Sequence, residues 1–394
     1  MNLYAASKQW ATRPPDERFS TINEMLEACR EYADKACLST VNLKTLKAVA
    51  NDDEVLIQGQ SGLKARLTYW AFGQLASKTN APAAYLRVLP PNLAADCLNY
   101  GISKIHKLMP NFEVLFHSEI VNQSQDELFN SQMLLRAFTS AKYTRFWNYE
   151  VVEQIQNLFE KGWRVPPARP AFKNQPGARK ATEDDVLDVK DFLSIKVGDL
   201  IAPAGLYASD HDMFAFLINE KNRIEDGTEH GLSRGVFFEN SEVGDRSLRC
   251  TTFLYRHVCG NHIVWDASNV AKLSIRHVGK VHKKFTDFLI DLKKYTNSGA
   301  KGDEKKIQSY KKKKIASTKE DVINKLFRQL YKNVTAEQLE QAYDLTEANQ
   351  PVDGDPNTVW GMTQGLSRLS QNTSFTDERT NLDRAAGKIL RIRF

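Results

Sequence analysis

The chain has 394 residues, 42% of them hydrophobic and 26% charged, with 54 Lys and Arg against 48 Asp and Glu and a net charge of +6. That length and composition suit two or three globular domains and exclude collagen-like, low-complexity and disulfide-scaffold classes. Five cysteines are too few and scattered for a secreted framework, no signal-peptide pattern opens the chain, and no run reaches the roughly 18 apolar residues of a membrane helix, so a soluble protein of a reducing compartment without a membrane partner is expected.

Residues 12–19, TRPPDERF, read as an extended, proline-stiffened approach to a helix over 22–29. The stretch 68–89 reads as helix, break, helix, with Asn80 stopping the first and Pro82 in the first turn of the second. Helical spacing continues over 93–107, strands are expected at 112–121 and 133–140, and an amphipathic helix at 150–160. Then 162–182 carries four prolines and five Lys or Arg and reads as a linker or long surface loop. Strands follow at 200–207, 213–218, 233–238, 248–259 and 262–265, and helical spacing returns over 278–295 and 321–343. The mixed order predicts an α+β fold. It divides into a mixed α/β N-terminal domain (1–161), a Pro/basic linker or loop (162–184), a strand-rich central domain with an antiparallel sheet (185–280) and a helical C-terminal region (281–394) with a Lys-rich loop at 299–320.

The charge is segregated. Between Lys272 and Lys319 there are 15 Lys or Arg and 4 Asp or Glu, so a chain of net +6 carries −5 on the remainder. Such a segment on an acidic body suggests a polyanion-facing element. Lys305, Lys306, Lys311, Lys312, Lys313 and Lys314 would supply phosphate contacts as point charges, against the plain alternative of a solvated loop. In RAFTSAKYTRFWNY (136–149) basic residues interleave with aromatics. Arg136, Lys142, Tyr143, Arg145 and Trp147 are candidate stacking and phosphate contacts for single-stranded nucleic acid, although the same aromatics would equally serve a core.

Other motifs are weaker. The unit at 68–89 resembles a helix-turn-helix, but Arg87 is its one good base reader, so it reads as core packing. Cys250, His257, Cys259 and His262 have the spacing C-x6-H-x-C-x2-H. Strand alternation turns Cys250 away from the others, leaving His257, Cys259 and His262 as weak metal candidates and no expected metal or cofactor. Ser209-Asp210-His211-Asp212 reads as a turn whose neighbours splay apart, with no nucleophile elbow around it. Phosphate-loop, dinucleotide and H-E-x-x-H patterns are absent from the sequence.

The segments TRPPDERFSTINEM, LTYWAFGQLASKTNAPAAYLRVLP, LLRAFTSAKYTRFWNYEVVEQI, AGLYASDHDMFAFLIN, FFENSEVGDRSLRCTTFLYRHVCGNHIVW and NTVWGMTQGLSR together resemble the phage/plasmid-like protein family. It is catalogued as a domain of unknown function, number nine hundred and thirty-two in its series. The resemblance spans roughly 12–368 and is most specific in R-A-x-x-S-x-x-Y and Y-R-x-V-C-x-N-H-I. It implies a phage or plasmid gene product acting in bacterial host cytoplasm, and it carries over no catalytic residues. The lysine-rich stretch 301–319 looks longer than the family pattern. The expectation is a nucleic-acid-binding accessory protein of replication or recombination, binding or annealing single-stranded DNA and more an adaptor than an enzyme. The alternatives are a metal-dependent enzyme or an interaction protein acting on a host factor; a homo-oligomer and a host partner both stay open.

Overall fold

The computed structural model describes residues 17–51, 54–60, 62, 64–105, 111–118, 133–171, 178–189, 195–228, 231–257, 261–264, 273–279, 281–296, 301–373 and 376–394. Short strand β1 (Glu17–Phe19) leads into helix α1 (Ile22–Asp34). Thr21 and Glu24 cap α1 reciprocally, and Ile22, Met25, Leu26 and Cys29 recur on its buried face. Strands β2 (Ala36–Val41), β3 (Lys47–Ala50), β4 (Val55–Gln58) and β5 (Lys64–Leu67) follow, then helices α2 (Tyr69–Lys78), α3 (Ala83–Leu86) and α4 (Pro91–Lys104), then strands β6 (Phe112–Ser118) and β7 (Met133–Ser140). These strands form a mixed sheet in the order β2-β6-β7-β5-β4-β3, with β5 and β7 parallel. Phe72 and Leu75 of α2 and Leu98 and Ile102 of α4 share its core.

The helix, break, helix unit therefore packs a core. Its second helix is a single turn of four residues, and Arg87 folds back: Nη2 donates to the Tyr69 carbonyl at 3.0 Å, with the guanidinium 3.7 Å above the Tyr69 ring.

After α5 (Asn148–Gln156), strands β8 (Trp163–Arg164), β9 (Arg169–Pro170) and β10 (Arg179–Lys180), helix α6 (Glu183–Val189) and strands β11 (Leu200–Ala202) and β12 (Leu206–Ala208) precede the long strands. The described residues of 162–184 thus include three short strands. β8 pairs antiparallel with Ile218 and Asn219, and β9 and β10 flank β11. Pro170 sits on an outer strand, where its missing N–H costs no ladder bond.

Strands β13 (Met213–Ile224), β14 (Leu232–Asn240), β15 (Leu248–Arg256), β16 (Asn261–Val264) and β17 (Leu273–Ile275) build the central antiparallel sheet, ordered β1-β12-β13-β14-β15-β16. Alternation sorts its residues cleanly between two buried faces. Ala215, Leu217, Val236, Phe238 and Cys250 face α1, α5 and α7 (Val281–Thr296). Tyr207, Phe216, Phe237 and Phe253 form the aromatic opposite face.

The chain ends in α8 (Lys301–Lys312), α9 (Lys319–Leu330), α10 (Ala336–Ala348), α11 (Gln350–Asp353), α12 (Val359–Gln371) and α13 (Thr376–Ile389). The expected Lys-rich loop at 299–320 is largely the helix α8. Asp303 and Glu304 in its first turn and Lys311 and Lys312 in its last complement the helix dipole, and Ile307 anchors it in the C-terminal core. Helices α10 and α12 touch closely at Gly365, where a Cβ would lie 2.1 Å from the Ala342 carbonyl oxygen. Arg379 of α13 lies over the aromatic sheet face, 4.9 Å from the Phe216 ring.

Asp383 of α13 is fully buried. It accepts from Ser370 Oγ at 2.5 Å and faces Arg379, Arg384 and Arg169; burial outweighs these cations and pushes its carboxyl from 3.8 up to about 6. The folded chain thus holds this proton more tightly than the unfolded chain. The resulting stabilisation is complete below pH 3.8 and lost as pH rises through about 6, at most about 3 kcal/mol. Asp383→Asn is expected to gain urea stability relative to wild type between about pH 4 and about pH 7. Parallel pH profiles for the two proteins would contradict it.

Candidate functional site

Arg136, Tyr143, Arg145 and Trp147 converge on the loop 241–247 that joins β14 to β15, so they fasten the N-terminal sheet to the central one. Arg136 is 1% exposed. Its Nη2 donates to Glu242 Oε2 at 3.1 Å and to the Asp210 carbonyl at 2.9 Å, and its guanidinium lies 4.3 Å over Tyr32. Arg145 donates from Nη1 to Glu113 Oε1 at 2.7 Å and from Nε to the Glu242 carbonyl at 2.8 Å. Tyr143 donates to the Ser241 carbonyl at 2.8 Å and stacks on His277 at 4.9 Å; burial pushes its phenol pKa up. Trp147 packs beside Leu115, Ala137 and Val243. From the facing side, Trp70 Nε1 and Gln74 Nε2 donate to the Val243 carbonyl at 3.3 and 2.8 Å.

Several side chains of the segment 136–149 therefore have internal partners. Arg136 is buried against Glu242 and Arg145 is bonded to Glu113, whereas Tyr143, Arg145 and Trp147 stay partly exposed. Lys142, at the turn, is exposed.

The lysine-rich segment divides in two. Lys311 donates to the Asp226 carbonyl, and burial lowers its pKa. Lys313 donates to the Ile392 carbonyl at 3.0 Å. Lys305, Lys306, Lys312 and Lys314 are exposed, and among the described residues no carboxylate pairs with them.

Of the metal candidates, the side chain of His257 is described. His257 is buried with Nε2 2.7 Å from Ser233 Oγ, and Cys250 is buried on the sheet face that packs α1. Cys259 and the side chain of His262 lie outside the described residues.

Ser209, Asp210, His211 and Asp212 converge rather than splay. Ser209 Oγ lies 2.5 Å from Asp212 Oδ1 and 3.2 Å from His211 Nδ1. That same Nδ1 is 2.7 Å from Asp210 Oδ1. Ser209 and Asp210 thus share Nδ1 of His211, while Asp212 Oδ2 stands 3.7 Å from its Nε2, so the four side chains form one connected turn. Ligand atoms of His211, Asp212 and Asp245 lie within 4.8 Å of one another. Arg246 Nε sits 3.1 Å from both Asp212 Oδ2 and Asp245 Oδ2, supplying the positive charge itself. Behind the turn a cavity of about 230 Å3 is lined by Glu17, Cys29, Tyr32, Asp210 and Glu242. Burial and the Glu242 and Glu17 carboxylates push the Cys29 thiol up to about 12, which keeps it protonated and poorly nucleophilic.

A larger opening was not anticipated: the groove between α2, α3 and α4 lined by Lys78, Tyr85, Tyr100 and Lys104. Its sequence signal is slight, two tyrosines and two lysines spread over 27 residues.

Among the described residues no helix is long and apolar enough to cross a membrane. A family model described as Domain of unknown function (DUF932) matches residues 183–387, just over half of the chain and the part running from α6 through the long strands to α13. No curated protein and no solved structure matches the chain.

Proposed function

We propose that this chain, which belongs to the DUF932 family, is a nucleic-acid-binding accessory protein of a phage or plasmid. In this reading it works in the bacterial cytoplasm, in replication or recombination, with single-stranded DNA as its favoured partner. The observation that carries the reading is the set of exposed lysines Lys305, Lys306, Lys312 and Lys314, unpaired with carboxylate among the described residues, on a segment of local excess +11. Lysines held on a helix and its exit present charge in a fixed array, which suits sequence-blind phosphate contact.

Each phosphate neutralised releases counterions, so affinity falls with salt by a slope proportional to the contacts made. Changing all four lysines to Ala is expected to flatten the slope of log affinity against log salt by up to about 3 for a single strand, read by fluorescence anisotropy. Because Arg136, Tyr143, Arg145 and Trp147 serve the inter-sheet joint, no share of the slope is assigned to them. Absence of binding to single- and double-stranded oligonucleotides at low salt would overturn the proposal.

A further inference from the structure

We infer that the groove between α2, α3 and α4 binds a nucleotide unit, a planar base with its phosphate, either free or within a single strand. This adds a base-contacting site to the nucleic-acid reading above but stands on separate residues.

The groove encloses about 1010 Å3, room for more than one nucleotide. Its floor exists because α2 and α4 meet nearly backbone to backbone. A Cβ at Gly101 would lie 2.5 Å from the Thr79 Cβ and 2.7 Å from the Thr79 carbonyl oxygen. Asn80 then takes a left-handed φ of 57°, ending α2 and turning the chain toward α3. With no side chain at the crossing, Tyr85 and Tyr100 stand on either wall, 58% and 67% exposed.

Among the described residues no carboxylate forms an ion pair with either lysine of this groove. Lys78 is half-buried, with Nζ 4.2 Å over the Phe112 ring. Burial lowers its pKa, and among the described residues no carboxylate forms an ion pair with it. An ammonium withdrawn from water without an anion is unfavourable unless a ligand supplies one. Lys104, on the opposite wall, lies 5.1 Å over the Tyr100 ring. The lining includes a single carboxylate, Asp96, and between Ala36 and Lys107 the chain has eight Lys or Arg against four Asp or Glu. Two exposed aromatic rings with two ammonium groups that no described carboxylate pairs match a base and its phosphate, since stacking accepts any base and lysine binds phosphate as a point charge.

Cys97 gives a direct readout, because it is exposed and lines the same groove. The test is maleimide alkylation of Cys97 in the full chain, followed by peptide mass. It is run alone and with deoxyadenosine monophosphate, inorganic phosphate or a single-stranded oligonucleotide of about 12 nucleotides. Several-fold protection by the oligonucleotide is expected, and Tyr85→Ala with Tyr100→Ala should weaken oligonucleotide binding about tenfold or more. Protection by the mononucleotide as well identifies a free nucleotide as ligand; protection by the oligonucleotide alone identifies a strand. Equal protection by inorganic phosphate would overturn the base-stacking assignment. An oligonucleotide that binds through the α8 lysines while leaving Cys97 fully reactive would overturn the groove and leave the α8 surface standing. Protection that survives Ala at those four lysines would do the reverse, and no binding of any probe would defeat both.

Discussion

Replacing Arg256 by Ala is expected to cost about 3–5 kcal/mol of folding stability, one of the two largest single-site effects predicted for this chain. Arg256 is fully buried at the end of β15. Its Nε donates to Asp226 Oδ2 at 2.9 Å. Nη1 donates to Asp353 Oδ1 at 3.0 Å and Gln364 Oε1 at 3.2 Å, and Nη2 to the Val352 carbonyl at 2.6 Å. One guanidinium thus ties the β13–β14 connection to α11 and α12, joining the central sheet to the helical region. Truncation leaves the Asp226 and Asp353 carboxylates buried with less positive charge. Asp353 keeps Arg368, whose Nη2 lies 2.8 Å away, whereas the Asp226 carboxylate keeps the Thr228 N–H at 3.0 Å and the Lys311 ammonium, which is bonded to the Asp226 main-chain carbonyl. Arg256→Lys preserves the charge but cannot reach separate acceptors with a planar fork, so it should fall between wild type and Ala. Urea midpoints at neutral pH measure the series, and a loss under about 1 kcal/mol for Ala would show that the network adds little beyond packing.

Arg256 also shows what the sequence could and could not convey. It lies in the segment Y-R-x-V-C-x-N-H-I, and Arg136 lies in R-A-x-x-S-x-x-Y; the most specific segments of the family resemblance each hold a buried, ion-paired arginine. Periodicity placed the elements well where the signal is local. The Thr-x-x-Glu cap at Thr21 and the alternation of β13 and β14 are both readable within a dozen residues. The internal partners of the basic and aromatic residues of 136–149 were not legible because Ser241, Glu242 and Val243 lie about a hundred residues away. The lysine run reads as a loop because charge count hides its anchors: Ile307 and Ile315 are both buried in the C-terminal core. The groove escaped for a related reason. Its lining comes from three helices, and a helix-turn-helix pattern directs attention to the second helix rather than to the break before it.

Glu242→Ala should have a comparable effect, about 3–5 kcal/mol, with a different local consequence. The Glu242 side chain is 1% exposed. Oε2 accepts from Arg136, Oε1 accepts from the Asn148 N–H at 2.9 Å at the start of α5, and its own carbonyl accepts from Arg145. Removing the carboxylate strands the Arg136 guanidinium in the joint between the two sheets and uncaps α5. Cleavage by a limiting protease within 141–147 should therefore rise at urea concentrations below the global midpoint. The double variant Glu242→Ala with Arg136→Met should recover part of the loss, because removing both charges costs less than leaving one buried alone. Oligonucleotide binding separates this structural role from the contact role that the sequence suggested. If Arg136 is a clamp, Arg136→Met leaves affinity within about twofold while lowering stability; if it touches phosphate, affinity and salt slope fall together. The 1% exposure of Arg136 favours the first outcome, since a phosphate could reach its guanidinium only after the two sheets had parted.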